Sequence, residues 1–176
     1  MYLAAKIFQR IKSLLALINF SHLSALNVKP LLENKDRFYP NHFDHHPNEP
    51  TKDKFAISYH QKYGEGVVAK MFFRKGELLF RFHGTLLDYQ TLFTLQKKQG
   101  LYIEDPYFMG KILHRCDPNT TVDIEEQIFW ASKDIRPGDL ITMDYESTED
   151  KLFRSFHCEC ESHNCRKLIS GKGTHS

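Results

Sequence analysis

Phe156-His157-Cys158-Glu159-Cys160-Glu161-Ser162-His163-Asn164-Cys165 gathers three of the chain's four cysteines into one short stretch, spaced C-x-C-x4-C. Two thiols separated by one residue cannot easily bridge each other, yet both can point at one ion. Zinc takes four soft or borderline ligands in a tetrahedron, with thiolates about 2.3 Å from the metal. A fourth ligand must then come from elsewhere, and Cys116 is the remaining thiol. His157 or His163 could substitute, but four cysteines for four positions is the tighter account. The competing reading is unrelated free thiols in a reducing compartment. An ion ligated wholly by protein would be structural, and would hold the tail against the body with on the order of 10 kcal/mol of binding free energy.

The rest of the composition bounds the context. At 176 residues the chain is one domain's worth of sequence with a short appendage. That size buries roughly 70% of the unfolded surface, so folding needs no disulfides, and four cysteines are too few for a disulfide scaffold. Lys plus Arg total 24 against 22 for Asp plus Glu, a net charge of +2 that is too balanced for a dedicated duplex-DNA binder, so no direct nucleic-acid binding is expected. No run approaches the eighteen or so apolar residues of a membrane span. Fourteen Phe and eight Tyr argue against disorder. The expectation is a soluble cytoplasmic domain, with nuclear, organelle-targeted or secreted-effector settings as alternatives; nothing in the composition fixes an oligomeric state.

Upstream of the tail the pattern is mainly β. Phe55 to Tyr59 alternates, and Tyr63-Gly64-Glu65-Gly66-Val67-Val68-Ala69 is a turn entering a strand. Lys75-Gly76-Glu77 reads as a turn before a strand over Leu78 to Phe82, and Leu101 to Glu104, Gln127 to Ala131 and Asp139 to Met143 read as further strands. Asp88 is placed to cap one helix over about Tyr89 to Gln99, ending at Gly100. At the other end, Leu3, Ile7, Ile11, Leu14, Leu15 and Ile18 recur at helical spacing, with Lys6, Gln9, Lys12 and Ser13 opposite, predicting an amphipathic helix over about 3–19. Residues 1–32 hold no acid, so this helix could pack on the domain or a second chain, serve as an organelle transit peptide, or lie on a membrane surface. A secretory signal fits less well, because the apolar run from Leu14 to Ile18 is short. Residues 29–54, with Pro30, Pro40, Pro47 and Pro50, read as a solvated connector. His42, His45 and His46 beside Asp44 have no spacing that converges on a metal. The division is therefore 1–54 helix and linker, 55–150 domain body, and 151–176 tail.

Four segments in order carry a family resemblance. Gly64-Glu65-Gly66-Val67-Val68-Ala69 resembles a G-x-G-V-x-A motif, and Leu113-His114-Arg115-Cys116-Asp117-Pro118-Asn119 resembles N-H-S-C-x-P-N. Asp139 to Tyr145 resembles E-L-T-x-D-Y, and Phe156 to Cys165 resembles F-x-C-x-C-x4-C. Together they resemble the SET-domain protein lysine methyltransferases that carry a post-SET zinc tail, over about Tyr63 to Gly171. The resemblance implies a mainly β (α+β) SET fold whose middle and last motifs form a pseudoknot, with a zinc-bound post-SET tail. It implies S-adenosylmethionine as cofactor and a lysine presented by a protein substrate. It places backbone near Glu65, Gly66, Val67, Leu113 and His114 on the cofactor, with Phe156 packed near its adenine. Tyr145 would be the catalytic tyrosine, Phe82 and Met143 would line the substrate channel, and Cys116, Cys158, Cys160 and Cys165 would bind a structural zinc.

Departures from the pattern bear on activity. Leu113 stands where the family has asparagine, Arg115 replaces serine, Met143 replaces a common Tyr or Phe, and Phe82-His83-Gly84-Thr85 stands for Y-x-G-E. Methionine lacks a hydroxyl to hold a water, so a roomier pocket and higher methylation states follow from Met143. The leading expectation is methyl transfer to a lysine ε-amine. The alternatives are a non-catalytic SET module that binds a protein partner, and a methyltransferase acting on another nucleophile.

Overall fold

The structure is a computed structural model that describes residues 36–172. The amphipathic helix expected over 3–19 and the first part of the connector lie outside these residues. The described part is built of twelve short strands: β1 Phe55–His60, β2 Gly64–Ala69, β3 Leu78–Arg81, β4 Thr85–Leu87, β5 Thr94–Lys98, β6 Leu101–Glu104, β7 Leu113–His114, β8 Thr120–Asp123, β9 Ile128–Ala131, β10 Thr142–Met143, β11 Phe156–His157 and β12 Leu168–Ile169. They form five small sheets, ordered β1-β2, β3-β9-β8, β4-β6-β5, β10-β7 and β11-β12. All pairings but one are antiparallel; β3 with β9 joins segments far apart in sequence, as does β10 with β7, which is the parallel pair.

Phe55 on β1, Phe80 on β3 and Phe129 on β9 are fully buried and meet Phe108 and Phe73 in one aromatic cluster. Phe55 stacks on Phe73 at 5.3 Å between centroids and sits edge-on to Phe80 at 5.5 Å. Burying each such side chain is worth about 1.5–3 kcal/mol relative to exposure, so this cluster anchors the small sheets to one another. Sheet β4-β6-β5 meets the β3 end at Gly84, where an added Cβ would lie 2.3 Å from Ile103 Cγ2 and 2.9 Å from the Glu104 carbonyl oxygen. Only glycine permits that approach.

The helix expected over Tyr89 to Gln99 does not form. Thr94–Lys98 is instead β5, paired antiparallel with β6 through a turn in which Gly100 has φ +71°. The Thr91 hydroxyl accepts from the Phe93 amide, and the Thr94 hydroxyl accepts from the Thr91 amide. These local side-chain bonds give the backbone a turn in place of the first helical hydrogen bonds. A glycine of positive φ ends a helix and turns a hairpin equally well, so Gly100 could not separate the two.

Residues 36–54 also differ from the expected solvated connector. Arg37, Tyr39 and Glu49 are buried. Arg37 donates through Nε and Nη2 to the two Glu49 oxygens at 2.5 and 2.8 Å. The Tyr39 hydroxyl donates to Asp105 at 2.8 Å. Asp105 is itself buried and also accepts the Tyr107, Phe108 and Met109 amides, which fixes the 3-10 turn Met109–Lys111 leading into β7. Burial holds the Asp105 carboxyl above its ordinary pKa. A proline-rich polar stretch thus becomes a packed strap through two paired charges that composition could not reveal. None of the described helical turns is long and apolar enough to cross a membrane.

Candidate active site and metal centre

The cysteines come together as the spacing predicted. The Sγ atoms of Cys116, Cys158, Cys160 and Cys165 lie within 4.8 Å of one another, with Cys116 and Cys158 at 3.8 Å. Four sulfurs at zinc–thiolate bond length in a tetrahedron stand about 3.8 Å apart, so the cluster has the dimensions of one tetrahedral site. His42, His45 and His46 form no such group among the described residues. Burial pushes the Cys116 and Cys158 thiols up, which disfavours bare thiolates there; a divalent cation reverses that preference. The donor set therefore fits zinc. Leu152 and Ile169 are buried together with Cys116 and Cys158 in one apolar cluster.

The β7–β10 pairing brings two of the quoted motifs side by side. Thr142 stands opposite Leu113 and Met143 opposite His114, and the Arg115 amide donates to the Met143 carbonyl at 2.9 Å. Asn119 clasps the crossing. Its Nδ2 donates to the Leu140 carbonyl at 2.8 Å, and its Oδ1 accepts the Thr142 amide at 2.9 Å and the Thr142 hydroxyl at 3.0 Å. The chain then turns through the 3-10 turn Tyr145–Ser147, where Asp144 accepts the Glu146 amide as cap.

Tyr145 is held at three points. Its hydroxyl donates to the Ile112 carbonyl at 2.7 Å, its amide donates to His114 Nδ1 at 3.2 Å, and its ring lies 5.2 Å from the His114 ring and 6.1 Å from Phe156. Burial, with the Glu149 carboxylate nearby, raises the Tyr145 phenol well above its ordinary value, so it stays protonated. Burial pushes His114 down to about 4, so its ring is neutral at neutral pH. Since Nδ1 accepts from Tyr145, the proton resides on Nε2, which faces Cys116 Sγ at 3.4 Å. One imidazole thereby links the tyrosine to the metal cluster.

These groups line a cavity of about 730 Å³, within the range of small-molecule sites. Leu113, His114, Met143, Tyr145 and Phe156 all face it. Glu65, Gly66 and Val67 do not line it: Val67 is fully buried, and Glu65 pairs with Lys111 at the surface. Gly66 sits directly behind the wall, where an added Cβ would meet Leu113 Cδ1 at 3.0 Å and Leu140 Cδ2 at 2.9 Å. Phe82 is also absent from the wall and packs on Phe129 in the core at 5.8 Å.

Several contributors have no signature in the sequence. Asn119 was visible only as a motif letter. Glu149 is buried, lines the cavity and accepts the Gln96 amide at 2.6 Å and the Gln90 side-chain amide at 3.1 Å. Arg166, next to the last cysteine, grips Asp144 with both terminal nitrogens at 2.8 and 2.5 Å. Charged residues of this kind look like surface polarity in sequence, and only their partners distinguish them.

Comparison with known proteins agrees with this geometry. The SET domain family matches residues 64–146. Over 170 residues the chain is 29% identical to histone-lysine N-methyltransferase Set2 of Drosophila melanogaster, covering 81% of this chain and 7% of the fly protein. It is 35% identical over 85 residues to methyltransferase flvH of Aspergillus flavus, covering 47% of each. The chain thus spans less than half the length of either relative. A crystal structure of KRYPTONITE in complex with mCHH DNA, an H3(1–15) peptide and SAH shares the fold, with a TM-score of 0.52 at 21% identity over 65% of this chain and 29% of that one. Residues 64–146 are a SET domain, with homology to SET-domain histone-lysine methyltransferases.

Proposed function

We propose that this chain is an S-adenosylmethionine-dependent methyltransferase acting on the ε-amine of a lysine in a protein. The observation that carries the reading is the anchored Tyr145 hydroxyl, 2.7 Å from the Ile112 carbonyl in the wall of the cavity. Likeness to Set2, a histone-lysine N-methyltransferase, and to the methyltransferase flvH, with the SAH and H3(1–15) peptide in the KRYPTONITE complex, supports the same reading. The near-neutral charge favours a protein over duplex DNA as direct partner. Reduced thiolates in a metal cluster suit a cytoplasmic or nuclear setting.

S-adenosylmethionine, when bound, supplies an electrophilic methyl group on a sulfonium. Leu113, His114 and Phe156 would hold it, offering backbone, an aromatic face and an apolar wall. The remaining requirements are orientation and a neutral amine. Tyr145 stays protonated and spends its proton on Ile112, so its oxygen lone pairs, with the carbonyl beside it, are acceptors for the amine N–H and for the polarised methyl group. Neither group acts as a base. Met143, Met109 and Leu95 give apolar walls, which lower the pKa of an entering lysine and favour the form that has a lone pair. The four-cysteine zinc, by this reading, closes the tail over the cavity as a structural ion.

Leu113 favours a second reading, a SET module without catalysis. Its side chain lies on Gly66, so a polar amide is replaced by an alkyl contact beside the proposed cofactor wall. Calorimetry separates the two. The methyltransferase predicts saturable binding of S-adenosylmethionine to the zinc-loaded chain; absence of any binding heat or competition would refute it in favour of the second reading.

A further inference from the structure

Tyr145 sits between two carboxylates, and both are held by the tail. Asp144 receives both terminal nitrogens of Arg166, and Glu146 lies 3.0 Å from Arg166 Nε. Glu146 also accepts the Ser170 amide at 3.0 Å and the Gly171 amide at 3.2 Å. Arg166 is tied in turn to the cysteine cluster: its own amide faces Cys116 Sγ at 3.4 Å, and it directly follows Cys165. The Glu146 side chain is almost fully buried, and the Asp144 and Arg166 side chains are about three-quarters buried. A planar guanidinium across two carboxylates fixes both direction and distance, which a point charge does not.

From this geometry we infer that Arg166 is a positioning residue for Tyr145. It turns the metal-dependent fold of the tail into a fixed backbone for the Asp144-Tyr145-Glu146 segment, and so into a fixed Tyr145 hydroxyl. The inference rests on the proposed methyl transfer only for its effect on rate; the mechanical link stands by itself. Without Arg166 the 3-10 turn Tyr145–Ser147 keeps its Asp144 cap and the Ser170 and Gly171 amides on Glu146, but loses the guanidinium that joins the two carboxylates. The tail then closes over the cavity without setting the tyrosine.

The test compares full-length, zinc-loaded wild type with Arg166→Gln, Arg166→Lys and Asp144→Asn. Amide hydrogen exchange over residues 144–149, zinc content and methyl transfer are measured together. Arg166→Gln is expected to keep about one zinc per chain. It should speed exchange at these amides about tenfold or more, the scale of one charge-assisted pair. The turnover number should fall by a similar factor with KM for the substrate peptide little changed. Arg166→Lys should recover part of the exchange protection, since one ammonium replaces half of the fork. If Arg166→Gln loses zinc, Asp144→Asn decides, because it opens the same clamp from its carboxylate partner and leaves the residue next to Cys165 in place. Faster exchange with zinc retained supports the inference, and unchanged exchange at 144–149 in the variant that keeps zinc overturns it. A wild type that binds no S-adenosylmethionine would overturn the proposed function while leaving the exchange result to judge Arg166.

Discussion

Replacing Asn119 by alanine removes the clasp at the crossing of the two motif segments, and its cost can be worked from the contacts. Three hydrogen bonds go: Nδ2 to the Leu140 carbonyl, and Oδ1 from the Thr142 amide and hydroxyl. Thr142 is only 6% exposed, so its amide is left buried without its acceptor. Net hydrogen bonds are worth about 1 kcal/mol each and an orphaned buried donor about 1–3 kcal/mol, so Asn119→Ala should destabilise by about 3 kcal/mol. For a domain of this size that lowers the melting temperature by roughly 6–12 °C. Asn119→Asp is the control. It keeps the acceptor for Thr142 but turns a carboxylate oxygen towards the Leu140 carbonyl, so it should be at least as damaging as alanine. The assay is thermal unfolding followed by circular dichroism, at saturating zinc for all three proteins. A loss under about 1 kcal/mol for Asn119→Ala, or a wild-type melting temperature for Asn119→Asp, would refute the claim that this side chain holds the crossing.

The metal centre and the buried strap give two more expectations. Metal analysis of the purified wild type should find about one zinc per chain, and Cys160→Ser should lower that and loosen Leu152 and Ile169 to proteolysis. A full complement of zinc in Cys160→Ser would contradict four-cysteine ligation. Asp105 is held above its ordinary carboxyl value by burial, so the folded state keeps its proton to higher pH than the unfolded chain does. Its contribution is therefore fully present below the unfolded carboxyl pKa and is lost as pH rises through the raised folded value. In Asp105→Asn that acid-side component should vanish from the stability-versus-pH curve, although the variant is less stable overall because three backbone amides and Tyr39 share fewer acceptor positions. An identical pH slope in the two proteins would rule Asp105 out as its source.

What could be read in advance follows a physical line. Cys158, Cys160 and Cys165 announce themselves because metal chemistry restricts both residue type and spacing, and Cys116, the remaining thiol, was the tighter choice for the fourth ligand over His157 or His163. Strands such as Phe55–His60 and Leu101–Glu104 were legible because alternation and large apolar side chains agree on one period. The stretch Tyr89 to Gln99 was misread because Asp88 and Gly100 are valid helix boundaries and equally valid turn residues. Its hairpin is decided by Thr91, Thr94 and the pairing of Gln96 with Asp150, which is distant in sequence. Arg37, Glu49, Asp144, Glu146 and Arg166 were illegible for one shared reason. A charged side chain reveals nothing until its partner is known, and each of these partners lies many residues away.

The central claim, that the cavity around Tyr145 transfers a methyl group to a protein lysine, is tested most directly by mass spectrometry. A lysate is incubated with isotope-labelled S-adenosylmethionine and either the zinc-loaded wild type or Tyr145→Phe. The account predicts labelled methyl groups on lysine side chains with the wild type, and loss of most of that label with Tyr145→Phe while calorimetric affinity for the cofactor is retained. Equal labelling by the two proteins, or label found on no lysine at all, would contradict it.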